Sequence, residues 1–416
     1  MSFFRQVYEF LKSASIAHAK WDYEVSTSIL KNRKKMLWII LAILPILVVA
    51  MAEAGGILGG KTAYAPAFYS TKIFVVSIAI GLAAGLITGC IGAGGGFIIT
   101  PALMAAGVKG ILAVGTDLFH IFAKAIMGTT VHKKLGNVSV KLAVAFLVGS
   151  TGGAVIGGLI NKGLYDYDPL LSEAFISLIY AALLGFLGFY SLADFLKSRK
   201  GADTGDAHGG SPAEAPAVTI KVQGMNIPPM ITFDEDYVPG GKKISGVIVA
   251  AGGVIVGIMA AIMGVGGGFI TFPMFVYIFG VSSMTTVGTD ILQIIFTAGF
   301  AAVTQYAIYG YVFYTLAMGM LLGSLIGIQV GAMTTKVVKG IHIRGFYAIS
   351  ILAGFINRVS TLPKKLTELE IINIPKGLST GIEVSGNVIF WLVVGFFAFW
   401  IFSKFFGNMK KFKEGV

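Results

Sequence analysis

Asp117, His120 and Lys124 follow one another at intervals of three and four residues within an apolar run, so on a helix they share one face. A carboxylate, an imidazole and an amine in apolar surroundings can pass a proton, and the amine can hold an anion. Asp117 closes the tetrapeptide Val114-Gly115-Thr116-Asp117, which recurs as Val287-Gly288-Thr289-Asp290, with Gln293 standing where His120 does. Asp117 and Asp290 are candidates to bind and release a coupling proton. Thr-Asp ahead of an apolar run is also an N-cap signature, so a second reading makes both of them helix caps. His120 either transfers a proton or takes a packed, hydrogen-bonded place. Lys124 holds an anion, pairs with Asp117 or snorkels toward a nearby loop.

Each tetrapeptide follows a glycine-rich segment. Gly92-Ala93-Gly94-Gly95-Gly96-Phe97-Ile98-Ile99-Thr100-Pro101 and Gly264-Val265-Gly266-Gly267-Gly268-Phe269-Ile270-Thr271-Phe272-Pro273 agree at seven of ten positions. Gly94, Gly95, Gly96 and Gly266, Gly267, Gly268 permit tight turns, and Phe97, Phe269, Pro101 and Pro273 shape and pack the break. A helix starting after such a turn presents N–H groups without intrahelical acceptors and a partial positive charge, which suits an anion. These amides, with Phe97, Phe269, Thr116, Thr289 and Gln293, form a candidate substrate site. Membrane helices also use glycine simply to pack closely, but the matched repetition favours a paired device. A dinucleotide fingerprint lacks its strand–turn–helix setting and ribose-binding acid.

The elements that must hold these residues are membrane helices. Of 416 residues, 56% are hydrophobic and 12% charged, against about 25% charged in a soluble domain. Apolar segments fall at 37–57, 73–91, 96–106, 110–131, 142–160 and 173–196, then at 244–263, 268–279, 285–309, 312–335, 343–358 and 387–406. The first span begins at Met36 and is too long for a signal peptide. Segments 96–106 and 268–279 cover roughly half of the ~30 Å hydrocarbon core, at about 1.5 Å per residue. Net charge is +12, but the basic residues flank apolar spans as inner loops require, and no nucleic-acid motif accompanies them. The single cysteine, Cys90, excludes an internal disulfide and reads as a small apolar filler.

Five domains follow. Residues 1–35 form an amphipathic, basic-ended segment on the cytoplasmic face. Residues 36–196 are the first membrane repeat with its leading helix 37–57, and 197–243 a solvated cytoplasmic linker in which 218–222 suggests a short strand. Residues 244–406 are the second repeat plus a final helix, and 407–416 a cytoplasmic tail. Loop charge places the N-terminus, the linker and the tail inside. Five segments per half, an odd number, make the repeats inverted. The same count leaves Lys364, Lys365 and Lys376 outside, against the charge rule. The fold class expected is an all-α polytopic membrane protein of two inverted repeats with short or broken helices at the paired glycine motifs.

The two GxGGGF segments with their Pro and Val-Gly-Thr-Asp elements resemble the TauE/SafE family of sulfite and organosulfur-anion exporters, over about 73–196 and 244–358. That resemblance implies an inner-membrane carrier of two related halves for sulfite, sulfoacetate or related sulfur or carboxylate anions. The expected function is a proton-coupled secondary transporter exporting a small anion by alternating access. Import of the same anions, or a binding role without transport, are the alternatives. No Ser-His-Asp, HExxH, CxxC or P-loop pattern is present, so no enzymatic activity, metal or cofactor is expected. The expected partners are a small anion and the lipid bilayer, without nucleic acid, and the subunit number, including a homo-oligomer, is left open.

Overall fold

Glycines recurring every fourth residue decide how the long helices of this chain pair. The computed structural model describes residues 71–91, 95–134, 139–200, 217–235, 240–334, 337–338 and 340–408. The amphipathic N-terminal segment, the leading helix 37–57 and most of the tail lie outside them.

The first half contains α1 (Thr71–Ile91), α2 (Gly96–Ala105), α3 (Gly110–Lys134), α4 (Val140–Tyr167) and α5 (Pro169–Lys200). A short helix α6 (Ala217–Gln223) and an antiparallel hairpin of β1 (Met230–Phe233) and β2 (Lys242–Ser245) follow, with Met230 opposite Ser245 and Phe233 opposite Lys242. The second half contains α7 (Gly246–Met263), α8 (Gly268–Phe279), α9 (Ser283–Ala301, continued irregularly to Tyr309), α10 (Tyr314–Thr334) and α11 (Gly340–Glu368). A final helix, α12 (Lys376–Gly407), packs on α11. Among the described residues eight helices are long and apolar enough to cross a membrane: α1, α4, α5, α7, α9, α10, α11 and α12. The first part of helix α3 is enclosed by protein, with every residue from Ile111 to Leu118 buried.

The first helix of each half lies along the fourth helix of the other. Gly81, Gly85 and Gly89 of α1 face Met320, Ser324 and Ile328 of α10, and Gly149, Gly153 and Gly157 of α4 face Ala250, Val254 and Ile258 of α7. Residue numbers rise together in both pairs, so each pair runs parallel. A Cβ at Gly81 would lie 2.1 Å from the Met320 carbonyl oxygen, and one at Gly149 1.8 Å from that of Ala250. Close backbone contact replaces the hydrophobic effect as the source of helix association in lipid. Helices α5 and α11 pair antiparallel instead, Gly185 against Phe355 and Gly345 against Phe195.

Three expectations are corrected. Residues 218–222 form part of α6 rather than a strand. The region before α7 is not a solvated tether throughout: Ile231, Phe233 and Ile244 bury themselves against Phe275 and Phe279 of α8. Polar side chains of this cap then bind the end of α8, because its last carbonyls need donors. Thr219 Oγ1 donates to Tyr277 O (2.6 Å), Gln223 Nε2 to Phe279 O (2.8 Å) and Lys242 Nζ to Gly280 O (2.9 Å). Asp234 accepts from both the N–H and the hydroxyl of Ser282, each at 2.8 Å. Finally, segment 343–358 is the middle of a longer helix. Helix α11 runs on to Glu368, and its two lysines are neutralised, Lys364 by Glu383 and Lys365 by Glu173.

Candidate functional site

The polypeptide leaves helical geometry at the second glycine segment, and the first lies between the end of α1 at Ile91 and the start of α2 at Gly96. At the second, Gly264, Gly266 and Gly267 have φ of 81°, 64° and 89°, a region that side-chain-bearing residues avoid. The chain stops at Met263 and restarts at Gly268. The last four carbonyls of α7 are all satisfied. Ala260 O accepts the Gly264 N–H at 2.8 Å and Ala261 O the Tyr306 hydroxyl. Ile262 O accepts Asn161 Nδ2 at 3.4 Å, and Met263 O the Tyr180 hydroxyl at 2.5 Å. The capping side chains come from α4, α5 and the irregular end of α9, which is why no local pattern announced them.

At the first break Gly92, Ala93 and Gly94 lie outside the described residues. The Gly95 N–H donates to Thr88 Oγ1 (2.8 Å), which Lys124 Nζ also approaches at 3.4 Å. A Cβ at Gly95 would stand 2.5 Å from Ala84 O, so the turn lies hard against α1. The two breaks meet. A Cβ at Gly96 would be 3.1 Å from the Val265 Cα and 2.9 Å from Ile121 Cδ1, and one at Gly266 would be 2.7 Å from Ile121 Cγ2. Phe97 and Phe269 are both buried, their ring centroids 6.1 Å apart. The first N–H groups of α2 and α8, those of Gly96, Phe97, Gly268 and Phe269, have no acceptor within their own helices.

Asp117 and Asp290 are not caps. Helix α3 starts at Gly110 and α9 at Ser283 behind its own N-cap Ser282, which accepts the Thr285 N–H at 3.3 Å. Both aspartates therefore lie inside helices, where no orphan N–H is left to bond. Asp117 Oδ2 accepts from Thr100 Oγ1 of α2 at 3.0 Å. Among the described residues its Oδ1 has no hydrogen-bond partner, nor has His120 Nδ1, which lies 3.8 Å away. His120 Nε2 lies 2.9 Å from Ser324 Oγ on α10, and Ser324 donates its hydrogen to Gly81 O at 3.0 Å.

The second half arranges matching positions differently. Gln293 Nε2 donates to Asp290 Oδ1 (2.8 Å), Thr297 donates to Gln293 Oε1 (2.9 Å), and Ser150 of α4 stands 2.7 Å from Thr297. Asp290 Oδ2 lies 3.0 Å from where a Cβ of Gly268 would be, which puts a carboxylate oxygen at the start of α8. Thr116 and Thr289 are buried and engaged. Thr116 Oγ1 accepts the Phe313 N–H at 2.9 Å, and Thr289 Oγ1 the Ser139 N–H at 3.0 Å, each at the start of the other half's fourth helix. Lys124 reaches only the Thr88 end of this cluster.

Sequence reasoning passed over Arg358, 1% exposed in α11 and facing α2. The signal was present: an arginine inside an apolar membrane segment is costly and marks function by default.

The model of the family described as sulfite exporter TauE/SafE matches residues 76–357. Among similar proteins is one named probable membrane transporter protein YunE of Bacillus subtilis (strain 168), 26% identical over 63% of this chain and 89% of its own. Another from that organism, probable membrane transporter protein YjnA, is 23% identical over 61% of this chain and 87% of its own. A probable membrane transporter protein of Xylella fastidiosa (strain 9a5c) is 25% identical over 62% and 84%. No solved structure matches the chain.

Proposed function

The chain belongs to the TauE/SafE family and is a multi-pass membrane transporter; from that premise we propose that it carries a small anion, such as sulfite or a related organosulfur or carboxylate anion, by alternating access across the inner membrane. The observation that carries this reading is the meeting of the two glycine breaks at Gly96 and Val265. Irregular backbone at membrane depth is tolerated where it serves a buried site, and two helix starts there offer amide donors and positive dipole ends. The site residues are the amides of Gly96, Gly266, Gly267 and Gly268, walled by Phe97 and Phe269, with the Gly95 N–H held by Thr88 and Gly94 outside the described residues. Thr116 and Thr289 bind the two halves together beside it, and Gln293 orients Asp290.

We infer further that 36–196, the first repeat with its leading helix 37–57, and 244–406, the second repeat plus a final helix, hold inverted repeats, with 1–35, the linker 197–243 and the tail 407–416 on the cytoplasmic side. The parallel run of α1 with α10 and of α4 with α7 supports this. The first and fourth helices of a repeat cross in opposite senses, so repeats of equal orientation would make both pairs antiparallel.

Protons couple through the first repeat. Ser324 gives its hydrogen to Gly81, so it accepts from His120 Nε2–H, and Nδ1 then turns its lone pair toward Asp117 Oδ1. Two lone pairs facing each other in a buried site favour one proton on the pair. Loading and release of that proton, with Lys124 near its inner end, is the coupling step of export.

A second reading, uptake, draws on Asp290. Its oxygen at the start of α8 occupies the place an anion would take, so protonation of Asp290 is what admits a substrate. Proton and anion then travel together, which in a cell favours import. Oriented liposomes containing the full chain, with sulfite or sulfoacetate inside or outside and an imposed pH gradient, separate the readings. Export coupled to proton entry supports the first and joint entry the second. Absence of flux for every small anion tested rejects both.

A further inference from the structure

Arg358 carries a full positive charge into a site where no acid meets it. Its Nε and Nη2 donate to Asn357 Oδ1 at 2.8 and 2.5 Å, and Asn357 is held in turn by Asn387 of α12 at 2.6 Å. The outer edge of the guanidinium has poorer partners: Nη2 reaches Pro101 O at 3.3 Å, and among the described residues Nη1 reaches only the thioether of Met104 at 3.2 Å. A thioether is a weak acceptor on a flexible side chain. The two nearby acids are taken, Glu173 by Lys365 and Glu383 by Lys364. Among the described residues no carboxylate pairs with Arg358.

A buried charge is normally neutralised, because the desolvation it suffers is otherwise uncompensated. A structural arginine would have both terminal nitrogens on carboxylate or carbonyl oxygens. This one is braced through Nε and Nη2 by Asn357, with Pro101 O on Nη2, but its Nη1 faces a methionine. Both covering groups, Pro101 and Met104, belong to α2, the short helix that starts at the first glycine break. Asp117 is bonded to the neighbouring residue of α2, Thr100. Helix α2 thus stands between an acid on α3 and a base on α11.

We propose that Arg358 is the fixed counter-charge of the transported anion and selects for oxyanions. When α2 shifts from α11, Met104 withdraws and the Nη1–Nη2 edge takes two oxygens of the substrate side by side. A planar fork suits carboxylate, sulfite or sulfonate, whose oxygens it can grip in pairs, and discriminates against chloride. This assignment rests on the transporter reading.

The test uses the purified full-length protein, its thermal stabilisation by sulfite, sulfoacetate and chloride, and sulfite flux in liposomes. Wild-type protein is expected to be stabilised by the oxyanions and much less by chloride. Arg358→Met is expected to lose the oxyanion response and to raise KM at least tenfold, while melting in the absence of anion at or above the wild-type temperature. Arg358→Lys is expected to keep a weaker response with poorer discrimination against chloride. Met104→Glu, which supplies a tethered carboxylate, is expected to melt higher than wild type and to respond to no added anion. An oxyanion response and KM unchanged in Arg358→Met overturn the assignment and leave the transporter reading intact. Should Arg358→Met fail to fold, a wild-type-like response in Met104→Glu overturns it equally. A wild-type protein that neither binds nor moves any of these anions overturns both.

Discussion

His120 Nε2 lies 2.9 Å from the Ser324 hydroxyl, a hydrogen bond that joins α3 of the first half to α10 of the second. The matching bond, Thr297 to Ser150, joins α9 to α4. Each half thus reads the other through a serine on its fourth helix. The two connections differ in one respect: the second is a closed ladder back to Asp290, whereas the first leaves Asp117 Oδ1 and His120 Nδ1 without partners among the described residues.

That difference predicts the effect of His120→Gln, which copies the second half into the first. A Gln at 120 can donate to Asp117 as Gln293 donates to Asp290. Satisfying the buried acceptor should stabilise the protein by about 1 kcal/mol. Loss of the imidazole should remove proton-driven flux while leaving anion exchange under equal pH. Calorimetry together with flux at matched and unmatched pH checks both. Undiminished proton-driven flux in this variant would count against a coupling role for His120.

The two buried threonines serve as ties between halves, so Thr116→Val and Thr289→Val should weaken assembly. Each removes the side-chain oxygen that accepts a backbone N–H, that of Phe313 or of Ser139, at a cost of about 1–3 kcal/mol. The sites lie at different helix starts, so the double variant should lose about the sum. Thermal unfolding in detergent measures it; a double variant as stable as wild type contradicts the ties.

Glycine contacts along α4 and α7 leave no space for a methyl group. Gly149→Ala would put Cβ 1.8 Å from the Ala250 carbonyl oxygen, and forcing the helices apart should cost about 3 kcal/mol. Among the described residues Gly395 of α12 meets nothing within 4 Å, so Gly395→Ala should be neutral or slightly stabilising. Expression level and melting temperature of the pair report whether close packing, rather than glycine content, holds the bundle.

The cap formed by α6 and the hairpin should restrain α8. Asp234→Ala removes both bonds to Ser282, and each lost bond to a charged group costs about 1.5–3 kcal/mol. Amide exchange should quicken at the Phe279–Ser282 turn and not at the end of α2, which has no such cap among the described residues. Equal acceleration at both ends would mean general loosening instead.

Much of this architecture was readable in the chain. Low charge, long apolar segments and two copies of a glycine motif with a downstream Thr-Asp are local properties, and they called for membrane helices, two halves and a break in each. Segments 96–106 and 268–279 became α2 and α8 nearly to the residue, because glycine and proline act on their own stretch of backbone. Thr-Asp misled as a cap signature: whether an aspartate caps a helix depends on where the helix starts, and here Ser282 and the turn before Gly110 decide that. Asn161, Tyr180 and Tyr306 cap α7 from three separate elements. Arg358 meets α2 from more than two hundred and fifty positions away in the chain.

Residue types and their spacing therefore determined that polar groups had to be buried in lipid-soluble helices, and that two backbone breaks would need partners. Which donor meets which acceptor was decided only in three dimensions. A side chain that satisfies a buried carbonyl or faces a buried charge is chosen by how helices cross, and that crossing is set by the summed contacts of both halves.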